Sequence, residues 1–233
     1  MTEFADVTLA DVGVATPAVV GSRRLLSAEA PWPPAGLRLE KPPPCRHEPS
    51  ITTFVIDGSG SVTARNGNDP IGRRFDETEL ALTHLARTCR CENELAAVIH
   101  FDTGSCDRGP VPLSRKGLGV LTEALVVPPG GTSSVLGPAL KAAERLERSH
   151  PDHVQVCVVM SDFLLFDADV TGVLERFTSL AHHAHAVVLG AEPPAQLVAD
   201  PRAVLSVARW DSPPGEVAHA VLGALAAARG GDR

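Results

Sequence analysis

Apolar runs that end in polar, glycine-rich segments alternate with amphipathic stretches along most of this chain. The clearest run, residues 54–56 (Phe-Val-Ile), is followed by residues 57–61 (Asp-Gly-Ser-Gly-Ser), none of which is apolar. Such a run is typical of a strand buried on both faces of a sheet. A second run, residues 156–160, is followed by Ser161 and Asp162. The pattern therefore predicts two buried strands, each leading into a carboxylate.

Helical periodicity and further apolar runs predict the elements between and after these strands. The predicted helices cover about 76–90, 136–148, 170–181 and a last segment capped at Ser212-Pro213 and running through Arg229; the other predicted strands are 95–101, a short edge strand at 111–113, 184–189 and 203–208. Strands that alternate with helices indicate a parallel sheet covered on both faces. We therefore expect an α/β fold with a doubly wound, mostly parallel, Rossmann-like sheet of six strands.

The first fifty residues differ in composition from the rest. Residues 1–30 carry apolar positions with an alternation at Val7, Leu9, Val12 and Val14, and residues 31–49 are rich in proline. An apolar stretch of this kind does not have the composition of a disordered segment, whereas a proline-rich one forms a semi-rigid, extended linker. The sequence therefore predicts an N-terminal arm (1–30) that packs in cis or on a second copy, a linker (31–49) and one domain (50–233).

The polar segment after the first strand is the leading candidate for chemistry. Asp57, Ser59 and Ser61 offer one carboxylate and two hydroxyls, the oxygen ligands that Mg²⁺ prefers. Gly58 and Gly60 are expected to fold the three oxygens together through dihedral angles that other residues avoid. A Walker loop, a dinucleotide-binding loop and a nucleophile elbow each require residues that are absent here. An ordinary polar turn between a strand and a helix is the alternative.

Two later segments extend the candidate site, and with them the chain resembles the von Willebrand factor A (vWA) family. Residues 130–134 (Gly-Gly-Thr-Ser-Ser) precede a helical pattern, and Asp162 follows the second buried strand. The family carries a metal-ion-dependent adhesion site made of D-x-S-x-S, a distant threonine and a distant aspartate. The resemblance covers residues 50–229 and assigns these positions to Asp57, Ser59, Ser61, Thr132 and Asp162.

The resemblance implies a metal-dependent protein–protein interaction module. Asp57, Ser59 and Ser61 would then hold Mg²⁺, with Mn²⁺ or Ca²⁺ as alternatives; Thr132 would bind in the engaged state, and Asp162 would act through water. The partner would offer an Asp or Glu side chain to the metal. Members of the bacterial cytoplasmic type serve in ATPase-associated, chelatase or defence assemblies, which the sequence does not distinguish.

A metal-dependent hydrolase or phosphatase that uses the same residues is the alternative from another class. A phosphatase with an aspartyl nucleophile requires D-x-D, but position 59 is serine. No histidine, lysine or glutamate accompanies the loop motifs as a general base. The sequence therefore favours a protein that is not an enzyme.

Charge and composition exclude several other classes. The net charge is −7, tyrosine is absent and aromatic residues make up 4% of the chain, so neither a basic nucleic-acid surface nor a base-stacking platform is expected. No apolar run approaches the ~20 residues of a membrane span. The first residues, Met-Thr-Glu, do not have the charge order of a signal peptide. We expect a cytoplasmic protein that binds neither nucleic acid nor membrane; the oligomeric state remains open.

The cysteines and histidines offer weaker metal candidates. Five cysteines, an odd number, indicate a reducing compartment rather than a disulfide framework. Cys89 and Cys91, with Cys106, form a C-x-C pattern that is tighter than the usual zinc spacing. The group His182, His183 and His185 is expected near the end of a helix, where the helix C-terminus favours positive charge. His100 is expected to be a hydrogen-bonded core residue.

Overall fold

The computed structural model describes residues 33, 36–42, 48–69, 73–88, 93–101, 106–209 and 211–230. The predicted N-terminal arm and part of the proline-rich linker lie outside these described residues. The described linker segment, residues 36–42, lies on the domain, since Leu39 packs against its core and the Glu40 carbonyl is 3.0 Å from Nε2 of His84. The described helices include none that is long and apolar enough to cross a membrane.

The central sheet has six strands in the order β3-β2-β1-β4-β5-β6. Neighbouring strands run parallel except for β2 and β3, which are antiparallel. The fold class predicted from the sequence is therefore confirmed, including the short edge strand. The strands are β1 (Ser50–Ile56), β2 (Glu94–His100), β3 (Arg108–Pro112), β4 (Val154–Ser161), β5 (His183–Leu189) and β6 (Ala203–Ala208).

Seven helices occur in the described part of the chain. They are α1 (Gly60–Thr63), α2 (Arg73–Thr88), α3 (Arg115–Ala124), α4 (Gly137–Ser149), α5 (Val170–Leu180), α6 (Ala195–Ala199) and α7 (Glu216–Gly230). The sequence predicted α2, α4, α5 and α7, with boundaries a few residues off at several ends. It did not predict α3 or the short helices α1 and α6.

The helices cover both faces of the sheet and enclose a separate apolar core on each. Side chains of α2, α3 and α7 pack on one face, and those of α4, α5 and α6 pack on the other. Within β1, Phe54 and Ile56 enter the first core, whereas Val55 enters the second. Because both faces of such a strand are covered, all of its successive side chains are buried and its sequence is one apolar run.

Helix α3 was missed because its glycines weaken the helical signal. Gly117 and Gly119 lie within it, and glycine in a helix costs about 1 kcal/mol relative to alanine. A Cβ at position 117 would lie only 2.0 Å from the Pro112 carbonyl oxygen. Glycine is therefore needed for α3 to pack closely against the end of β3, and the helix is stabilised by that packing rather than by its intrinsic propensity.

Two of the predicted helix-terminal histidines lie in a strand instead. Helix α5 ends at Leu180, and His183 and His185 belong to β5. Burial lowers the pKa of His185 to about 4, so its ring is neutral. A neutral ring is not held by attraction to a helix C-terminus. The predicted interaction with a helix terminus was therefore wrong for His185. The prediction for His100 is confirmed, because it is 1% exposed and its Nε2 lies 2.9 Å from the Ala124 carbonyl oxygen.

The buried His100 predicts a loss of stability in acid. Its folded-state pKa is lowered from 6.5 to about 4, mainly by burial, so the unfolded chain binds more protons between these values. The free energy of unfolding should fall as the pH drops through this window. His100→Gln keeps a donor for the Ala124 carbonyl but does not titrate. It should flatten the slope by up to about 1.4 kcal/mol per pH unit.

Urea denaturation of both proteins between pH 4 and pH 8 measures this effect. Above pH 7 the two stability curves should run parallel, which provides the internal control. Equal slopes in the acid range would show that His100 does not contribute to the pH dependence.

Candidate metal site

The two predicted carboxylates lie side by side because β1 and β4 end at the same level. Ile56 is in register with Met160, and the Asp57 amide donates to the Met160 carbonyl at 2.9 Å. Strand β1 continues to β2 on one side of the sheet and has β4 on the other. Ligand sites in open α/β sheets lie at such a switch point, beyond the carboxyl ends of the strands.

The Asp57 carboxylate is buried and held by two donors. Its side chain has no exposed surface; Oδ1 accepts from the Ser59 amide at 2.8 Å, and Oδ2 accepts from the Ser161 hydroxyl at 2.6 Å. Burial raises the pKa of Asp57, although the bonds from Ser161 and Ser59 act in the opposite direction. A cation beside this carboxylate would stabilise its ionised form. The sequence analysis did not assign a role to Ser161.

The two serines of the first motif lie on either side of the start of α1. The Ser59 and Ser61 hydroxyl oxygens are 3.0 Å apart. Adjacent ligands of an octahedral Mg²⁺ ion, each 2.0–2.1 Å from the metal, are separated by about 2.9 Å. The spacing of the two hydroxyls therefore fits a small octahedral cation.

The loop that carries Thr132 pairs with the first motif. Gly130 and Gly131 have φ values of +85° and +71°, which side chains other than glycine rarely adopt, and they turn the chain toward β1. The Thr132 amide then donates to the Gly58 carbonyl at 3.2 Å, and its Oγ1 accepts from the Gly58 amide at 3.0 Å. The predicted second motif is thus placed directly against the first.

The predicted reason for the glycines of the first motif was wrong. Neither Gly58 nor Gly60 has a positive φ. A Cβ at Gly58 would lie 3.2 Å from Pro128 and 3.3 Å from Thr132, whereas one at Gly60 would meet no atom within 4 Å. A side chain at position 58 would therefore crowd the Thr132 loop, and the left-handed glycines of the site are Gly130 and Gly131.

Asp162 is held by its own loop and by a residue that the sequence analysis missed. It is 1% exposed; Oδ1 accepts from the Leu164 amide at 3.1 Å, and Oδ2 accepts from Nδ2 of Asn68 at 3.0 Å. Asn68 fits against Gly190, where a Cβ would come within 2.7 Å of the Asn68 amide oxygen. The polar insertion after the first motif, residues 63–69, thus reaches the site through Asn68.

A buried ion pair fixes this insertion beneath the site. Arg74 has no exposed surface, and its guanidinium donates to the Asp69 carboxylate at 2.5 Å and to the Asp57 carbonyl at 3.1 Å. The Asp69 carboxylate also accepts from the Arg73 and Arg74 amides. This group of residues therefore connects α2 to the Asp162 carboxylate, through Asn68, and to the main chain of Asp57, through Arg74.

Replacing Asn68 tests its contribution. Asn68→Ala removes the donor that orients the Asp162 carboxylate, and the loss of such an outer partner typically costs 10–100-fold in metal affinity. We expect Mg²⁺ or Mn²⁺ to bind at least tenfold more weakly in calorimetry. Asn66→Ala, at an exposed position of the same loop, is the matched control and should bind normally. Equal metal affinity in the two variants would show that Asn68 does not contribute to metal binding.

The donor set fits a hard divalent cation. The five predicted residues supply two carboxylates and three hydroxyls. Each of them is hydrogen-bonded to another of the five or to a neighbouring residue. A site so rich in hydroxyls contains few ionisable ligands, and the described residues include no cluster of three or more His, Cys, Asp or Glu side chains. Cys89 and Cys91 of the alternative zinc pattern lie outside the described residues.

Comparison with known proteins supports the fold. No protein-family model and no curated protein matches this chain. Among solved structures, a von Willebrand factor type A protein from Catenulispora acidiphila aligns with a TM-score of 0.55 and 17% identity, over 78% of this chain and 43% of that chain. Manganese-loaded TRAP protein from Plasmodium vivax aligns with a TM-score of 0.50 and 14% identity, over 76% and 73% of the two chains.

These likenesses show the class of fold. The chain has the Rossmann-like α/β fold of vWA domains, as the resemblance in its motifs predicted. It spans less than half the length of the Catenulispora structure. At these identities the likeness extends to the fold alone.

Proposed function

We propose that this protein is a metal-dependent protein–protein interaction module whose bound Mg²⁺ receives an acidic side chain from a partner. The observation that carries the proposal is the convergence of three loops, after β1, before α4 and after β4, which bring together Asp57, Ser59, Ser61, Thr132 and Asp162. Neutral hydroxyls leave a divalent ion with more of its charge than a cage of carboxylates would. The ion therefore attracts a further anion.

Each residue has a distinct role in this proposal. Asp57, Ser59 and Ser61 hold the ion, Thr132 binds it when a partner is engaged, and Asp162 acts through water. Mn²⁺ and Ca²⁺ are alternatives, of which the 3.0 Å hydroxyl spacing favours the smaller Mn²⁺.

A non-enzymatic role is part of the same proposal. Among the described residues, the hydrogen-bond partners of the Asp57 and Asp162 side chains are serine, asparagine and main-chain amides. None of these groups is a general base. We place the protein in the cytoplasm, as a component of a bacterial multi-protein or ATPase-associated system.

Two peptide libraries that differ only in a central glutamate or glutamine test this function. The immobilised full-length protein should capture the glutamate library in Mg²⁺ and release it in excess chelator, and it should not retain the glutamine library. Thr132→Ala should weaken capture more than it weakens metal binding. Equal capture of both libraries, or capture that survives chelation, would contradict the proposal. Metal-dependent hydrolysis of a phosphate ester without peptide capture would support the enzyme instead.

A further inference from the structure

The loop that follows Asp162 exposes two large apolar side chains. Leu164 is 55% exposed and Phe166 is 79% exposed. Among the described residues, the other exposed large hydrophobic side chains are Val198 and Val204, on α6 and β6. Large apolar side chains that are grouped on the surface mark interaction sites more often than scattered ones do.

Hydrogen bonds fix the backbone of this loop. The Leu164 amide donates to Asp162, and the Phe166 amide donates to the Ser134 carbonyl at 2.8 Å. The Asp167 carboxylate accepts from the Leu136 and Gly137 amides at the start of α4. The two apolar side chains therefore project from an ordered segment, so a partner would pay little entropy to order the loop.

The same hydrogen bonds place both side chains beside the metal site. Leu164 follows Asp162 by two residues, so their Cα atoms lie within ~7 Å of each other. Phe166 is tied to Ser134, two residues after Thr132. Residues 163–166 carry no charge, Arg65 is exposed on the insertion that contacts Asp162 through Asn68, and Asp169 is exposed three residues after Phe166. The side chains around the site thus carry both signs of charge, and the proposed metal is the group that attracts a carboxylate to a position beside this apolar surface.

We propose that Leu164 and Phe166 form a docking surface for an apolar side chain on the same partner segment that supplies the carboxylate. This inference rests on the proposed function. In an extended chain, residues two positions apart point to the same side and are separated by about 6.5–7 Å. The Cα atoms of Asp162 and Leu164 are no farther apart than this, so an apolar side chain two positions from the partner carboxylate can reach the docking surface. The partner is therefore an extended protein segment in which an Asp or Glu lies two positions from a large apolar residue.

Selection from the glutamate-centred library tests this specificity. In Mg²⁺, peptides retained by the full-length protein should be enriched in Leu, Ile, Met, Phe or Trp two positions from the glutamate. A synthetic peptide with the selected sequence should bind about tenfold more weakly to Phe166→Ser and to Leu164→Ser. Val198→Ser, at a position 61% exposed on α6, is the matched control and should bind normally. Calorimetry should give the same Mg²⁺ affinity for all three variants.

The outcomes separate this inference from the proposed function. Metal-dependent selection of glutamate without an apolar preference, or with a preference that survives in both serine variants, would overturn the docking surface and leave the function standing. Failure to select glutamate in Mg²⁺ would overturn both. Dimerisation of the protein in Mg²⁺ that is lost in Phe166→Ser would replace the separate partner with a second copy of this chain.

Discussion

Replacing Asp57 by asparagine is expected to reduce Mg²⁺ binding by more than a hundredfold. Asp57 is the only carboxylate of the first motif, and it is buried with no exposed surface. Asparagine has nearly the same shape but no charge, so the variant should fold while the cation loses its principal anionic ligand. Calorimetry with Mg²⁺ and Mn²⁺ should show one site in the original protein and none in Asp57→Asn.

The control for this prediction is an aspartate away from the site. Asp152→Ala, in the exposed turn before β4, should leave metal binding unchanged. Because burial raises the pKa of Asp57, the asparagine variant should also unfold at no lower temperature than the original protein without metal. Undiminished one-site binding in Asp57→Asn would show that the metal binds elsewhere.

Replacing Arg74 by methionine is expected to lower the free energy of unfolding by about 3–5 kcal/mol, the usual cost of breaking a buried ion pair from one side. Arg74 has no exposed surface and Asp69 is 7% exposed, so the change leaves a buried carboxylate without its cation. It also removes the donor to the Asp57 carbonyl. Urea denaturation measures the loss.

A double variant separates the ion pair from simple packing. Arg74→Met combined with Asp69→Asn removes both charges and should recover a substantial part of the lost stability. Arg65→Met changes an exposed arginine nearby and should alter stability by less than about 0.5 kcal/mol. A double variant as unstable as Arg74→Met alone would show that the charge pair is not the cause.

Local patterns predicted the sheet and the residues that end its strands. The runs before Asp57 and Asp162 are apolar throughout because both faces of β1 and β4 are covered, and this signal needs no knowledge of distant contacts. The local patterns do not set the order of the strands, because β2 and β3 lie between β1 and β4 in the chain although β1 and β4 are neighbours in the sheet. That the first and third motifs follow buried strands was therefore predictable from local patterns, whereas the adjacency of those two strands was not.

The outer contacts of the candidate site, made by Asn68 and Arg74, join residues that are far apart in sequence. Asn68 and Asp162 are separated by 94 positions, and the Asn68 pocket also needs the absence of a side chain at Gly190. In the sequence, Asn68 belongs to a turn-rich polar loop and Arg74 to an ordinary amphipathic helix. Only the folded chain shows that both contact residues of the candidate metal site.

The fit of Asn68 against Gly190 has a consequence for synthesis of the protein on the ribosome. Gly190 follows β5 and has a φ of +62°, so the surface that receives Asn68 is formed only after that strand has joined the sheet. A nascent chain that has emerged only as far as Asp162 has all five predicted ligands but not the surface that holds Asn68 in place. We therefore expect high-affinity metal binding at the proposed site to begin only after β5 has emerged and paired with β4.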